Sequence, residues 1–280
     1  MSSGETVRPV AGHSALSTQH PPLTPDHWPD KGRTLVVGHR GAMGYAPENT
    51  LASFELALEQ GADVVELDVH LSRDGEVVVI HDEQLERTTD GRGLVGEHSL
   101  AELRRLDAGA WFDPRFAGQR LPTLDEVRAW AAGRTPLAIE IKNGPIFYDG
   151  IEAKIVALLE RHAMREQALV IAFDHHALRR VRALDDSVLT GVLYSCRPID
   201  PLALARAVGA QVLEPHWSFV TPEDVATAHA AGLRVSTWAT SEPAALRRLL
   251  AAGVDGLATN HPDVLVRLLA DGERPLTSAC

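Results

Sequence analysis

Acidic side chains recur at the ends of two short apolar segments of the chain. Glu66 and Asp68 lie at the end of the segment Val64–Val69, and Glu140 lies at the end of Leu137–Ile141. Residues two apart on a β-strand share a face, so Glu66 and Asp68 should point the same way. Three carboxylates in a low-dielectric cavity repel one another, and a hard divalent cation removes that conflict. Oxygen ligands favour Mg²⁺ or Ca²⁺ over zinc, so the pattern predicts a site for one of these ions.

Basic and imidazole side chains occur at matching places. His39 and Arg40 follow the apolar segment Leu35–Gly38, His81 follows another apolar run, and Lys142 lies two residues beyond Glu140. A lone Glu-x-Asp pair is more often solvated or salt-bridged than bound to a metal ion. Metal binding is favoured here because Glu140, His39 and His81 occur at matching strand ends. Most of the thirteen histidines should be ordinary core or surface residues. We expect this of His175, His176, His229 and His261.

The elements that must position these groups alternate regularly beyond residue 34. Short apolar, β-branched runs are followed by helical patterns of ten to fifteen residues, and eight such βα units predict a closed (β/α)8 TIM barrel. Thr221-Pro222 and Ser241-Glu242-Pro243 predict helix starts with a capping hydroxyl, and glycines such as Gly61 and Gly253 predict helix ends. The predicted strands are Leu35–Gly38, Val64–Val69, Leu137–Ile141, Leu169–Phe173, Val188–Leu193, Val212–Leu213, Arg234–Trp238 and Gly256–Thr259.

One apolar run, Val77–Ile80, does not fit the alternation. It follows the second strand after only a short polar turn, whereas a parallel crossover needs a dozen residues or more. The Asp74-Gly75 pair predicts a β-hairpin instead, with Asp68 opposite His81. Residues 83–120 would then form a small insertion above the barrel.

Composition narrows the possible functions and the domain organisation. The net charge of −11 argues against non-specific nucleic-acid binding, and Cys196 and Cys280 suggest neither a disulfide framework nor a zinc site. We find no apolar run long enough to span a membrane and no secretory signal, so a cytoplasmic protein is expected. Residues 32–273 should form one catalytic barrel. The proline-rich stretch 1–31 should be a disordered tail, and 274–280 a second tail.

Read together, the motifs resemble the glycerophosphodiester phosphodiesterase family from about residue 36 to 263. Each motif alone is weak, but their order and spacing make the combination highly specific. They are Gly38-His39-Arg40-Gly41, Pro47-Glu48-Asn49-Thr50, Glu66-Leu67-Asp68-Val69, His81-Asp82, Glu140-Ile141-Lys142, Phe173-Asp174, Thr237-Trp238 and Gly253-Val254-Asp255-Gly256.

The resemblance implies roles for particular residues. Glu66, Asp68 and Glu140 would bind one divalent cation, and His39 and His81 would be the acid–base pair. Hydrolysis of a phosphodiester needs charge neutralisation, an activated nucleophile and a protonated leaving group. The metal, Arg40 and Lys142 would supply the first of these, and imidazoles the other two. Further candidates for substrate contact are Glu48, whose neighbours also suit loop and cap chemistry, and Phe173 and Trp238, which suit the core nearly as well.

Several alternatives stay open from the sequence. The leading hypothesis is hydrolysis of glycerophosphodiesters to sn-glycerol 3-phosphate and an alcohol, with a small phosphodiester as the binding partner. A lysophospholipase D reaction is the second, and a non-catalytic phosphodiester-binding barrel is the third. The choice between Mg²⁺ and Ca²⁺, the roles of the two histidines, direct water attack or a cyclic intermediate, and the oligomeric state are not decided. Ala172-Phe173-Asp174 and Thr259-Asn260-His261-Pro262 depart from the family pattern.

Overall fold

A closed parallel barrel forms the centre of the computed structural model, which describes residues 33–162 and 164–272. Both predicted tails lie outside these residues. Eight strands are parallel, and the first closes the barrel by pairing with both the second and the last. The predicted (β/α)8 fold is therefore confirmed. The strands are β1 (Leu35–Gly38), β2 (Val64–Leu71), β3 (Val77–Val79), β4 (Leu137–Ile141), β5 (Ala168–Ala172), β6 (Leu189–Tyr194), β7 (Val212–Pro215), β8 (Arg234–Thr237) and β9 (Gly256–Thr259), of which β3 alone is antiparallel.

Helices follow the barrel strands and cover the outside of the barrel. Thr221 caps its helix as predicted, accepting a hydrogen bond from the Asp224 amide. Ser241 does not cap the next helix, which starts at Pro243 with Glu242 as its N-cap residue, and the Ser241 hydroxyl instead bonds to Thr259. The helices are α1 (Leu51–Glu59), α2 (Leu100–Leu103), α3 (Leu124–Ala131), α4 (Ile151–Arg161), α5 (His175–Leu184), α6 (Pro201–Val208), α7 (Pro222–Ala230), α8 (Pro243–Ala252) and α9 (Pro262–Gly272).

Alternation along the strands divides the core into two parts. Residues such as Val36, Val65 and Leu257 point outward and pack beneath the helices. Their neighbours Leu35 and Val64 point into the barrel, where they form a separate apolar cluster. Polar residues at inward positions near the carboxyl ends of the strands therefore meet in one place. Within the described part of the chain, no helix has the length and apolar character needed to cross a bilayer.

The predicted hairpin is present, but its register differs by one residue. Strand β3 pairs antiparallel with β2, and the amide of Ile80 donates to the carbonyl of Asp68 at 3.0 Å. Asp68 therefore lies opposite Ile80, and the prediction of His81 at that place was wrong. The loop has three residues rather than two, since the Ser72 amide bonds to the Glu76 carbonyl. Gly75, with φ of 82°, takes the left-handed position that such a loop requires.

The segment after the hairpin packs as a small unit of its own. It contains the short helix α2 and two turns of 3₁₀-helix at 95–97 and 114–116. Its buried side chains include Leu85, Val95 and Leu103, and they cover the outward face of β3 at Val78. The insertion thus fixes the hairpin from above, and the hairpin carries His81 to the carboxyl end of the barrel.

Candidate active site

Three carboxylates meet at the carboxyl ends of β2 and β4. The two strands run parallel, and Asp68 pairs with Glu140. Glu66 lies two residues before Asp68 on β2, on the same face of the strand. Ligand atoms of these three residues all lie within 4.8 Å of one another, and all three side chains are buried. The predicted metal ligands are therefore together in one buried cluster.

The charges of this cluster are only partly balanced by the protein. Burial, reinforced by Asp68 and Glu140, raises the pKa of Glu66 well above its usual value. Burial likewise raises the pKa of Glu140 to about 7. Asp68 is also buried, but Lys142 and Arg40 hold its pKa well below the usual value. A hard divalent cation would relieve the repulsion between these oxygen ligands, so the residues fit such an ion.

Lys142 and Arg40 contact the carboxylates from two sides. The Lys142 ammonium lies 2.6 Å from Glu140 and 3.0 Å from Asp68. The Arg40 guanidinium lies 3.3 Å from Asp68, and the Arg40 amide donates to Glu66 at 2.7 Å. Both cations that were predicted to bind phosphate thus contact the carboxylate cluster.

Arg40 has an unusual backbone, with φ of 50°. The next residue, Gly41, cannot be larger, because a Cβ atom there would lie 2.4 Å from the Ser53 hydroxyl at the start of α1. This tight loop turns the Arg40 amide toward Glu66. The local strain is a cost that a non-glycine residue accepts only where its surroundings impose it.

Glu48 holds cations rather than facing an open space. One of its oxygens accepts from Arg40 at 2.9 Å, and Arg87 binds the carboxylate through two contacts of 2.7 and 2.8 Å. The adjacent Asn49, with φ of 58°, donates to Asp68 at 2.8 Å. The loop before α1 therefore orients the Arg40 side chain and the Asp68 carboxylate.

His39 is oriented by an amide from the last barrel unit. Its Nδ1 lies 2.8 Å from Oδ1 of Asn260, which follows β9. Because an amide oxygen only accepts, Nδ1 carries the proton and Nε2 stays free. Burial, with help from the nearby charge of Arg40, lowers the pKa of His39 to about 4.

His81 is oriented by a carboxylate instead. Its Nδ1 lies 2.6 Å from Asp82, which is in turn held by Arg87 at 2.5 Å. His70, buried on β2, donates from Nε2 to the His81 carbonyl at 2.9 Å, and its Nδ1 lies 2.9 Å from the Tyr148 hydroxyl. Burial lowers the pKa of His81, although Asp68 and Asp82 act in the opposite direction.

The opposite side of the barrel mouth is mainly apolar. Phe173 packs edge-on against Trp238 with ring centroids 5.3 Å apart, and Phe173 is 46% exposed. The Trp238 indole donates to the backbone of Glu214 at 2.9 Å, which fixes this aromatic wall. Beneath it, a cavity of about 30 Å³ extends between Glu66 and Glu140 on one side and Glu214 on the other.

Sequence reasoning missed residues that position the predicted groups. They include His70, which lies two residues beyond Asp68 and so on the same strand face, and Asp82, which was noticed only as part of a motif. Asn260 was noticed only as a departure from the family pattern. A charged residue within a buried apolar strand was the available signal for Glu214. These residues are His70, Asp82, Arg87, Glu214 and Asn260.

Comparison with known proteins identifies the family of this chain. Residues 39–264 match the model of the "Glycerophosphoryl diester phosphodiesterase family". A glycerophosphodiester phosphodiesterase from Caldanaerobacter subterraneus subsp. tengcongensis is 39% identical over 226 residues, covering 80% of this chain and 93% of that protein. A Bacillus subtilis glycerophosphodiester phosphodiesterase is 35% identical over 256 residues, 84% of each chain.

A solved structure is also similar. An Oleispira antarctica phosphodiesterase, in complex with the product sn-glycerol-3-phosphate, superposes with a TM-score of 0.79 at 33% identity. The match covers 85% of this chain and 98% of that one. The resemblance predicted from the motifs is confirmed, and the chain belongs to the glycerophosphoryl diester phosphodiesterase family.

Proposed function

We propose that this protein hydrolyses glycerophosphodiesters to sn-glycerol 3-phosphate and an alcohol, using one divalent cation and the histidines His39 and His81. The observation that carries the proposal is the buried carboxylate cluster with two oriented imidazoles beside it. Asp68 is close enough to both rings for its charge to raise the pKa of each. This proximity supports a single reaction centre beside Asp68, at which both histidines would act.

Glu66, Asp68 and Glu140 would hold the cation, with Mg²⁺ or Ca²⁺ favoured by the all-oxygen set. When bound, the ion supplies positive charge that neutralises the phosphodiester and its transition state. Arg40 and Lys142 add to that charge from the protein side. Arg40 can fork onto two phosphate oxygens, while Lys142 acts as a point charge.

The two imidazoles have different partners, and this difference suggests their roles. Each donates its Nδ1 proton to a fixed acceptor, so each would present Nε2 to the substrate. His39 faces a neutral amide and stays neutral, as a general base requires. His81 faces the Asp82 carboxylate, which stabilises an imidazolium. We therefore assign His39 as the base that activates the nucleophile and His81 as the acid that protonates the leaving alkoxide.

The experiment that tests the proposal measures choline release from glycerophosphocholine before and after treatment with EDTA. We expect activity to disappear on chelation and to return with Mg²⁺ or Ca²⁺, whose relative effects identify the preferred ion. Glu66→Gln should not recover under the same conditions, since it removes one charged ligand. Undiminished turnover by fully chelated protein would rule out the metal role.

A second substrate class is favoured by the surface around the mouth. Phe147, Phe173 and Ile199, on segments that follow barrel strands, are exposed, and Trp111 of the insertion is 40% exposed. Such side chains suit an acyl chain, as in the lysophospholipase D reaction. Comparing kcat/KM for lysophosphatidylcholine and glycerophosphocholine decides between them. A preference for the long-chain ester that Phe147→Ala reduces would favour the lipid.

A further inference from the structure

Several positions inside the barrel carry small residues. Barrel interiors are usually filled by bulky branched side chains. Here the residues around the cavity include Ala138, Ser236 and Ala258. Gly191 on β6 lies beside the same space, because a Cβ atom there would lie 3.1 Å from Cγ of Glu214 and 3.0 Å from Ile171. The space that these residues leave free is occupied in part by the Glu214 side chain.

Glu214 differs from the other buried glutamates near the barrel. Glu48 is held by two arginines and Glu152 by Arg180, whereas Glu66 and Glu140 belong to the carboxylate cluster. Glu214 is only 4% exposed, and within residues 33–162 and 164–272 no lysine or arginine forms an ion pair with it. The Ser236 hydroxyl on the neighbouring strand lies near this carboxyl and acts to lower its pKa. A buried carboxyl without a cation is costly, so its presence needs a reason beyond stability.

The cavity connects this pair with the proposed reaction centre. Glu66, Glu140 and His39 line it at one side, and Glu214 and Ser236 line it at another. The remaining lining is apolar, including Leu169, Ile171 and Leu193. Its volume of about 30 Å³ admits a group the size of a water molecule or a hydroxymethyl group. Among the described residues that line the cavity away from the cluster, the polar side chains are Glu214, Ser236 and Trp238, and the Trp238 indole already donates to the Glu214 carbonyl.

We propose that Glu214 and Ser236 bind the hydroxyl groups of the glycerol that remains on the phosphate, and so select glycerol esters over other phosphodiesters. This inference rests on the proposed function. Free glycerol is the part that glycerophosphodiesters of different alcohols share, so it suits the enclosed end of the site. The variable alcohol would leave toward the exposed Phe173 side.

The protonation of Glu214 agrees with this role. Burial, assisted by the charge of Glu140, raises the pKa of Glu214 to about 8. A neutral carboxyl group both donates and accepts a hydrogen bond, as does the hydroxyl of Ser236. Together they match the donor and acceptor capacity of an alcohol.

The test combines a change in the protein with a change in the substrate. Glycerophosphocholine is compared with propylphosphocholine, which replaces glycerol by propanol and lacks both hydroxyls. We expect the wild-type protein to prefer the glycerol ester by about ten- to a hundredfold in kcat/KM, the range expected for unpaired buried polar groups. Glu214→Met should lose most of that preference, mainly through a higher KM for glycerophosphocholine, and Glu214→Gln should keep much of it.

The ratio of kcat/KM for the two esters separates a loss of glycerol recognition from a loss of folded protein. A folding defect lowers kcat/KM for both esters by the same factor and leaves their ratio unchanged. Ser236→Ala provides the second variant if Glu214→Met does not fold, and we expect it to lower the preference by about tenfold. Glu152→Gln, a change at another buried glutamate, should leave the ratio unchanged. If the wild-type protein cleaves neither ester, the proposed function fails. If the wild-type protein cleaves both esters with equal kcat/KM, or if Glu214→Met and Ser236→Ala both retain its preference for glycerophosphocholine, this inference is wrong while the proposed function stands.

Discussion

The two sides of the barrel mouth are built differently. On the side of β1, β2 and β4, most polar side chains form ion pairs or hydrogen bonds with one another. Lys142, for example, forms ion pairs with both Asp68 and Glu140. On the side of β5 to β8, aromatic rings pack edge-on and much of Phe173 remains exposed. The first side is a rigid arrangement of charges, and the second is a wall with room for variation.

This difference indicates a division of labour. Electrostatic stabilisation works when charged groups are held in place before the substrate arrives, which the connected side provides. An apolar wall discriminates among alcohols by fit, and each contact there contributes less. Changes on the charged side should therefore affect the rate for every substrate, whereas changes on the apolar side should affect some substrates more than others.

Substitution of His39 on the charged side should have the largest effect. We expect His39→Ala to lower kcat by about 10²- to 10⁴-fold, because it removes general acid–base help from every turnover. His176→Ala, at an exposed histidine on α5, should retain wild-type rates. Steady-state kinetics on glycerophosphocholine, with circular dichroism to check folding, measures both. Near-native turnover by His39→Ala would remove its assignment as the base.

Most of the barrel could be predicted because its signals are local. Each unit repeats an apolar strand, a helix and a glycine such as Gly61 or Gly253, and both of these have the expected positive φ. The hairpin was predicted correctly from the same kind of signal, but the predicted register was wrong by one residue. A loop of two residues and a loop of three differ only in which hydrogen bonds form at Ser72, and the sequence Asp74-Gly75 suits both.

The site was predictable where its residues lie at strand ends and not where they depend on distant partners. Glu66 and Asp68 share a face by strand periodicity, and Glu140 joins them because the carboxyl ends of parallel barrel strands meet. The acceptor for His39 is Asn260, 221 residues away, and it approaches only because the last strand closes the barrel against the first. The partner that Glu214 has in Ser236 likewise depends on how β7 and β8 align.

Substitution of Asp82, the hydrogen-bond partner of His81, should lower kcat less than substitution of His39. Asp82→Asn keeps a hydrogen-bond acceptor near Nδ1 but removes the negative charge, so the pKa of His81 should fall. If His81 must be protonated to act as the acid, the alkaline limb of the kcat profile should move to lower pH by about one unit. We expect kcat at neutral pH to fall by about tenfold.

The pH dependence of kcat on glycerophosphocholine provides the measurement. Glu86→Gln removes a nearby exposed carboxylate of the insertion without touching either histidine, and its profile should match the wild type. An Asp82→Asn profile with an unmoved alkaline limb would contradict the assignment of His81 as the acid. It would leave the metal cluster and His39 unaffected.

The smallest effect should come from the aromatic wall, and it should depend on the substrate. Phe173 is partly exposed beside Trp238, where its ring face can attract the trimethylammonium group of choline. We expect Phe173→Ala to raise KM for glycerophosphocholine about two- to fivefold, as an exposed cation–π contact would. The KM for glycerophosphoglycerol, whose alcohol is uncharged, should change less. Leu184→Ala removes an exposed apolar side chain at the far end of α5 and should change neither. Equal changes for both esters would show that the wall does not discriminate among alcohols.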